Sequence, residues 1–202
     1  MGIDVSKHQG EIDWGKVKAT GVDYAMIRVA YRGYGTGKLM LDENFEANIT
    51  GALEAGIPVG VYLYSQAVNQ EEVLEEARFV LDTIREYDVT WPVVFDMEEV
   101  IAENVRTANL STEEITDMTI AFCDAIEEGG YHPVIYGNLK WFLEKLDFSR
   151  VLDYDKWLAQ YYRAPFFPYE YQMWQYTGSG TLDGIKGNVD LNISFVDYGA
   201  AS

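Results

Sequence analysis

The sequence predicts an α/β protein, a TIM-like β/α barrel that is irregular because its last third lacks helices. Segments typical of strands and of helices alternate up to about residue 145, which favours parallel strands joined by right-handed crossovers. The chain of 202 residues contains eight strand-like and about five helix-like segments, a number that suits a closed barrel. An open doubly wound sheet is the main structural alternative.

The first half of the chain alternates between the two kinds of element. The predicted elements are a strand at 2–5, a short helix at 14–21, a strand at 24–30, a helix at 45–53, a strand at 57–64 and a helix after residue 69. Phe45, Ile49 and Ala52 lie on one stripe of the second helix, and Gly56 is placed to end it. Asn69 precedes the third helix with Glu72 three residues later, which is a helix-start pattern.

The second half begins in the same way and then loses its helices. The predicted elements are a strand at 93–98, a helix after residue 111, a strand at 132–137, a short helix at 138–146 and strands at 156–162, 171–177 and 189–198. Ser111 and Glu114 have the spacing of a capping box. Because no Pro/Ser-rich or low-complexity segment interrupts the chain, we expect residues 1–202 to form one domain.

Composition excludes several classes of protein. Apolar residues make up 48% of the chain, which argues against a disordered polymer. The net charge of −18 argues against binding to nucleic acid or to anionic membranes, since Lys and Arg are too few to neutralise a run of phosphates. No apolar stretch is long enough to span a bilayer. The one cysteine, Cys123, excludes an intrachain disulfide and is predicted to be a packed thiol.

The segment WPVVFDMEEV places acidic residues at the end of a predicted buried strand. Asp96 and Glu98 lie two residues apart and therefore project to the same side, whereas a buried strand normally avoids charge. In a closed barrel Asp4 and Asp190 would join them, because these residues lie in the first and the last strand. Several carboxylates in one pocket cannot all ionise cheaply, so at least one would stay protonated and serve as a general acid. Salt bridges to neighbouring cations and a metal site of oxygen ligands are the alternatives.

Polar and aromatic side chains occur near the carboxyl ends of the other predicted strands, where barrel proteins gather their function. Tyrosine and tryptophan rings have flat apolar faces and polar edges, which suits binding to pyranose rings. The predicted substrate-binding residues are Arg28, Tyr62, Tyr64, Tyr136, Gln160, Tyr161, Trp174 and Gln175. Some of the tyrosines are expected to pack in the core instead.

The ordered set of motifs resembles family 25 of the glycoside hydrolases, the bacterial and phage lysozymes of the N,O-diacetylmuramidase (Chalaropsis) type. The motifs are GIDVSKHQGEIDW, VVFDMEE, PVIYGN, WLAQYY and WQYTGSGTLDGIKGNVDLN, and the likeness runs from Gly2 to about Asp197. The resemblance implies an irregular β/α barrel with eight strands and five helices. It also implies hydrolysis of the β-1,4 bond between N-acetylmuramic acid and N-acetylglucosamine in peptidoglycan.

Carried over residue by residue, the resemblance implies that Glu98 is the acid/base, that Asp96 is its partner, and that Asp4 and Asp190 flank them. Many members of the family have Trp or Asn where this chain has Lys7 and His8, a difference that concerns sugar contacts and not the acids. We expect no cofactor and no catalytic metal, a monomer, and action outside the cell on the wall. No leader-like run precedes Gly2, so no signal peptide is expected in this chain. A non-catalytic glycan-binding barrel and a hexosaminidase acting on chitin-like polymers remain alternatives.

Overall fold

The sheet closes on itself through its first strand. The computed structural model describes residues 1–103 and 105–200, and within them nine strands share one sheet. They are β1 (Gly2–Val5), β2 (Tyr24–Arg32), β3 (Leu39–Leu41), β4 (Val59–Ser65), β5 (Val89–Met97), β6 (Pro133–Asn138), β7 (Asp155–Ala159), β8 (Met173–Gly180) and β9 (Val189–Ser194). Because β1 pairs with both β2 and β9, eight strands form a closed barrel and the open-sheet alternative is wrong.

The strand directions explain why the barrel is irregular. Neighbouring strands from β1 through β2, β4, β5, β6 and β7 to β8 are parallel, whereas β9 is antiparallel to both β8 and β1. The short strand β3 lies outside the barrel and pairs antiparallel with the end of β2. The antiparallel last strand needs only a loop, and the parallel strands β7 and β8 are joined by residues 160–172 without a helix. The irregular last third predicted from the sequence is therefore confirmed.

The helices follow the predicted order. They are α1 (Trp14–Ala19), α2 (Phe45–Glu54), α3 (Gln70–Ile84) and α4 (Thr112–Glu128), followed by a short π-helix at Trp141–Lys145. The side chain of Asn69 accepts a hydrogen bond from the N–H of Glu72 at the start of α3. Ser111 and Glu114 form a capping box at α4, as predicted. Among the described residues no helix is both long and apolar enough to cross a membrane.

Element boundaries account for the differences from prediction. The strand expected at 156–162 ends at Ala159, and the one expected at 189–198 ends at Ser194. The hydroxyl of Ser194 donates to the carbonyl of Val196 and receives its N–H, which turns the chain away from the sheet. The strand β3 has no signal in the sequence because it has only three residues, none of them buried.

Two apolar layers position the mouth of the barrel. Side chains such as Ala25, Ile27 and Val29 of β2 face outward and pack in the larger core cluster with helix residues. Tyr24 and Met26 belong to a second cluster, in which the Tyr24 ring stacks on Trp91 with ring centroids 3.8 Å apart. Alternation along the strands places this cluster inside the barrel, below the carboxyl ends of the parallel strands. Polar side chains at those ends therefore meet above an apolar floor.

Gly60 of β4 leaves no room for a side chain. A Cβ built at this position would lie 2.6 Å from Cε of Met26 and 2.7 Å from the backbone oxygen of Pro92. We expect Gly60→Ala to lower the free energy of unfolding by about 1–3 kcal/mol, because the strands must shift to accept the methyl group. Urea denaturation measures this loss. Gly35→Ala is the matched control, since a Cβ there meets nothing within 4 Å, and an equal loss in both variants would contradict the steric argument.

Candidate active site

A cavity of about 720 Å³ opens at the carboxyl ends of the parallel strands. The four carboxylates expected to converge, Asp4, Asp96, Glu98 and Asp190, all line it. Strand register brings them there: Asp4 lies opposite Asp190 in the β1–β9 pair, and Asp96 lies between Tyr64 of β4 and Tyr136 of β6. Glu98 follows directly after the end of β5 at Met97.

Asp4 is buried and held by two amides. Its Oδ2 accepts hydrogen bonds from Nε2 of Gln175 at 2.9 Å and from Nδ2 of Asn192 at 2.8 Å. Burial and the neighbouring charge of Asp190 nevertheless raise the pKa of Asp4 from 3.8 to about 7, since the two amides offset only part of the desolvation. Burial also raises the pKa of Asp190. This side of the cavity therefore resists carrying two negative charges.

Asp96 and Glu98 line the same cavity, and each affects the pKa of the other. Burial, together with the proximity of Glu98, raises the pKa of Asp96 well above its ordinary value, and burial raises the pKa of Glu98 as well. Oδ1 of Asp96 is buried without a hydrogen-bond partner among the described residues. The raised pKa values favour retention of a proton by the pair, and Oδ1 of Asp96 is a buried acceptor oxygen beside it.

Gln175 connects three of the predicted residues. Its Oε1 accepts hydrogen bonds from the hydroxyls of Tyr136 at 2.9 Å and Tyr161 at 2.7 Å, while its Nε2 donates to Asp4. Both hydrogen-bonding ends of this buried amide are therefore used. Gln175 therefore holds Asp4, Tyr136 and Tyr161 in place, and both tyrosines line the cavity.

The remaining predicted residues divide into two groups. Arg28, Tyr62 and Tyr64 line the main cavity. Gln160 and Trp174 are not among the residues that line it: Gln160 borders a neighbouring cavity, and the indole N–H of Trp174 donates to the Gln160 carbonyl at 2.8 Å. These two side chains support the loop after β7.

Three residues in or around the cavity were not predicted from the sequence. Asp42 is buried and accepts from Nε of Arg28 at 2.8 Å and from the N–H of Lys7 at 3.2 Å, so it fixes one end of the cavity. Trp157 forms part of the wall. Asn192 was detectable, because it lies two residues after Asp190 in the same strand, although its own partner Asp4 is far away in sequence.

The cavity is rich in carboxylates, which are also ligands for divalent metal ions. Within residues 1–103 and 105–200, no group of three or more His, Cys, Asp or Glu side chains is arranged to hold a metal ion. His8 lines the main cavity, whereas His132 lies at the other end of the barrel, 2.8 Å from Oδ2 of Asp155. Cys123 is buried in α4, and burial raises its pKa, which identifies it as a packed thiol.

Fold and site together define a β/α-barrel protein with a cluster of four carboxyl groups at the barrel mouth. The chain belongs to the glycosyl hydrolases family 25, whose model matches residues 3–185. An autolytic lysozyme from Clostridium acetobutylicum is 26% identical over 192 residues, which cover 95% of this chain and 54% of the relative.

Solved structures show the same likeness. The modular autolysin LytC of Streptococcus pneumoniae, in complex with a synthetic peptidoglycan ligand, is 29% identical with a TM-score of 0.83, over 95% of this chain and 45% of LytC. A lysozyme from Streptomyces coelicolor is 26% identical with a TM-score of 0.79, over 96% of this chain and 91% of that one. The chain thus spans about half the length of the clostridial and pneumococcal relatives.

Proposed function

We propose that this chain is a lysozyme that hydrolyses the β-1,4 bond between N-acetylmuramic acid and N-acetylglucosamine in peptidoglycan. The observation that carries the proposal is the convergence of Asp96 and Glu98 with Asp4 and Asp190 on one cavity at the barrel mouth. Membership of family 25 and the likeness to the clostridial and streptomycete lysozymes supply the substrate class. Residues 1–202 act as one catalytic domain and as a monomer, outside the cell on the wall.

Glu98 is the proposed general acid and base. It is less buried than Asp96 and is thus the member of the pair that an incoming glycosidic oxygen reaches. In the first step the proton of Glu98 passes to that oxygen as the bond to the anomeric carbon breaks. In the second step the ionised Glu98 takes a proton from the attacking water, which restores the acid.

Asp96 assists through the sugar's own N-acetyl group, as in substrate-assisted glycosidases. The acetamide oxygen attacks the anomeric carbon, and positive charge develops on the acetamide nitrogen. Oδ1 of Asp96, which lacks a partner, is the acceptor for that N–H. The hydrogen bond from the acetamide N–H favours the ionised form of Asp96. The proton of the Asp96–Glu98 pair therefore resides on Glu98 when the substrate binds.

Asp4 and Asp190 set the local electric field. Their proximity raises the cost of a negative charge on either the partner aspartate or the catalytic pair, which keeps a proton available. Arg28, Tyr62, Tyr64, Tyr136 and Tyr161 line the same cavity and provide the sugar-contacting wall. Gln175 holds two of these tyrosines in place.

Product analysis tests the proposal. Purified peptidoglycan is digested, the new reducing ends are reduced with borohydride, and the fragments are identified by mass spectrometry. We expect reduced muramic acid at the new ends. Reduced glucosamine at those ends, or faster release from chitin than from peptidoglycan, would favour a different hexosaminidase, and binding to the wall without new reducing ends would favour a glycan-binding protein.

A further inference from the structure

A second cavity of about 620 Å³ meets the main one at the proposed acid. The two cavities share Glu98, Tyr136 and Tyr161. The other lining residues of the second cavity are Asn138, Leu139, Lys140, Ala159, Gln160, Tyr162 and Phe166. A polymer held in the main cavity that continues past the bond being cut therefore has a path into the second cavity.

The loop from Gln160 to Phe166 forms the outer side of this second cavity and is fixed by hydrogen bonds at both ends. The side-chain Oε1 of Gln160 accepts from the N–H of Phe166 at 2.8 Å. The carbonyl of Gln160 accepts from the indole of Trp174 at 2.8 Å and from the N–H of Tyr162 at 3.1 Å. Because Gln160 is itself buried, these bonds attach the exposed loop to the body of the barrel.

This fixed loop exposes two aromatic rings. Tyr162 is 63% exposed and Phe166 57% exposed, and their ring centroids lie 5.1 Å apart at an angle of 67°. Leaving large apolar rings in water on a preorganised loop costs free energy, and such patches beside a cavity mark binding surfaces. We call Tyr162 and Phe166 the aromatic platform.

The chemistry of the second cavity favours a neutral occupant with apolar faces. Its charged lining residues are Glu98 and Lys140, and Lys140 is paired with Glu99. No excess positive charge therefore attracts the carboxylates or phosphates of the wall. A pyranose ring, by contrast, presents an apolar face that stacks on aromatic rings.

We propose that the aromatic platform binds sugar units of the glycan strand beyond the main cavity, so that the protein prefers long strands to short oligosaccharides. This inference rests on the proposed function and names a determinant of its substrate length. Gln160 is a positioning residue, since it holds the loop that carries both rings. Stacking also explains how a chain with a net charge of −18 retains an anionic polymer without electrostatic attraction.

The test compares Phe166→Ala with Phe195→Ala on glycan strands of defined length, both peptide-free and peptide-bearing. Phe195 is 59% exposed and contacts Tyr171 with ring centroids 5.6 Å apart, but it borders a different cavity near Trp91, which makes it a close match for Phe166. We expect Phe166→Ala to lower kcat/KM on long strands about 5–10-fold, mainly through KM, as the loss of an exposed aromatic anchor does at other interfaces. The shortest cleaved oligosaccharide should be cut at the wild-type rate by both variants.

Three outcomes would overturn the proposal. Equal length dependence in the wild type and in Phe166→Ala shows that the platform does not contact the strand. A loss seen only on peptide-bearing strands shows that it binds the stem peptide instead. If the wild type cuts no strand of any length, the proposed function fails and the inference fails with it, whereas in the first two cases the function stands.

Discussion

Glu98→Gln is expected to lower the rate of glycan cleavage by about 10²–10⁴-fold, the range that general acid–base catalysis contributes. Glutamine has the same shape but neither gives a proton to the leaving oxygen nor takes one from water. The initial rate of release of reducing ends from peptidoglycan measures the effect. Circular dichroism and the thermal midpoint show that the variant is folded.

Glu99→Gln is the matched control for this substitution. Glu99 adjoins Glu98 in the sequence but pairs with Lys140 and Lys145 and has an exposed side chain. We expect this variant to keep activity within about twofold of the wild type, because surface ion pairs contribute little. Near-normal activity in Glu98→Gln, or an equal loss in both variants, would reject Glu98 as the acid.

Asp4→Asn is expected to stabilise the fold at alkaline pH. The pKa of Asp4 is raised from 3.8 to about 7 by burial and by Asp190, so between these pH values the folded chain binds more protons than the unfolded one. Stability from this group is therefore present below pH 4 and is lost as the pH rises through 7. Asparagine removes the ionisation and still accepts hydrogen bonds from Gln175 and Asn192. We expect a gain of about 1–4 kcal/mol at pH 8 and little change at pH 4.

Urea denaturation at pH 4 and pH 8 measures this difference. Asp82→Asn on the exposed side of α3 is the matched control for the replacement of one aspartate by asparagine. A wild-type protein whose stability rises between pH 4 and 8 through this group would contradict the raised pKa of Asp4. Reduced cleavage by a more stable Asp4→Asn would show that the acid cluster is retained for function at the expense of stability.

Capping residues and apolar spacing predicted most helices and strands correctly, because these elements depend on interactions between residues close in sequence. The capping residues Asn69 and Ser111 and the apolar stripe of α2 fix helix positions through contacts three and four residues apart. The same holds for the pair formed by Asp96 and Glu98, since residues two apart near a strand end project to one side. The likeness to a family supplied the expectation that distant acids converge.

The residues that hold the cavity walls in place could not be predicted from the sequence, because their contacts depend on the paths of loops. Gln160 was expected to contact sugar, but its side chain bonds to the N–H of Phe166 across a turn that no periodicity predicts. Asp42 was not predicted, because it reaches Arg28 from the end of the short strand β3, which has no signal in the sequence. Exposed Phe166 likewise looks like an ordinary loop residue until the second cavity is seen beside it.

Closure of the barrel by β9 has a consequence for biosynthesis. Asp190 and Asn192 reach Asp4 only when residues 189–194 insert between β1 and β8, so the cluster is incomplete in every shorter nascent chain. Contacts of such high sequence separation form late in folding. A ribosome-bound fragment that lacks β9 is thus expected to lack the proposed hydrolase activity, because its carboxyl cluster is incomplete. Activity is then expected only after the last strand has been synthesised and has closed the barrel.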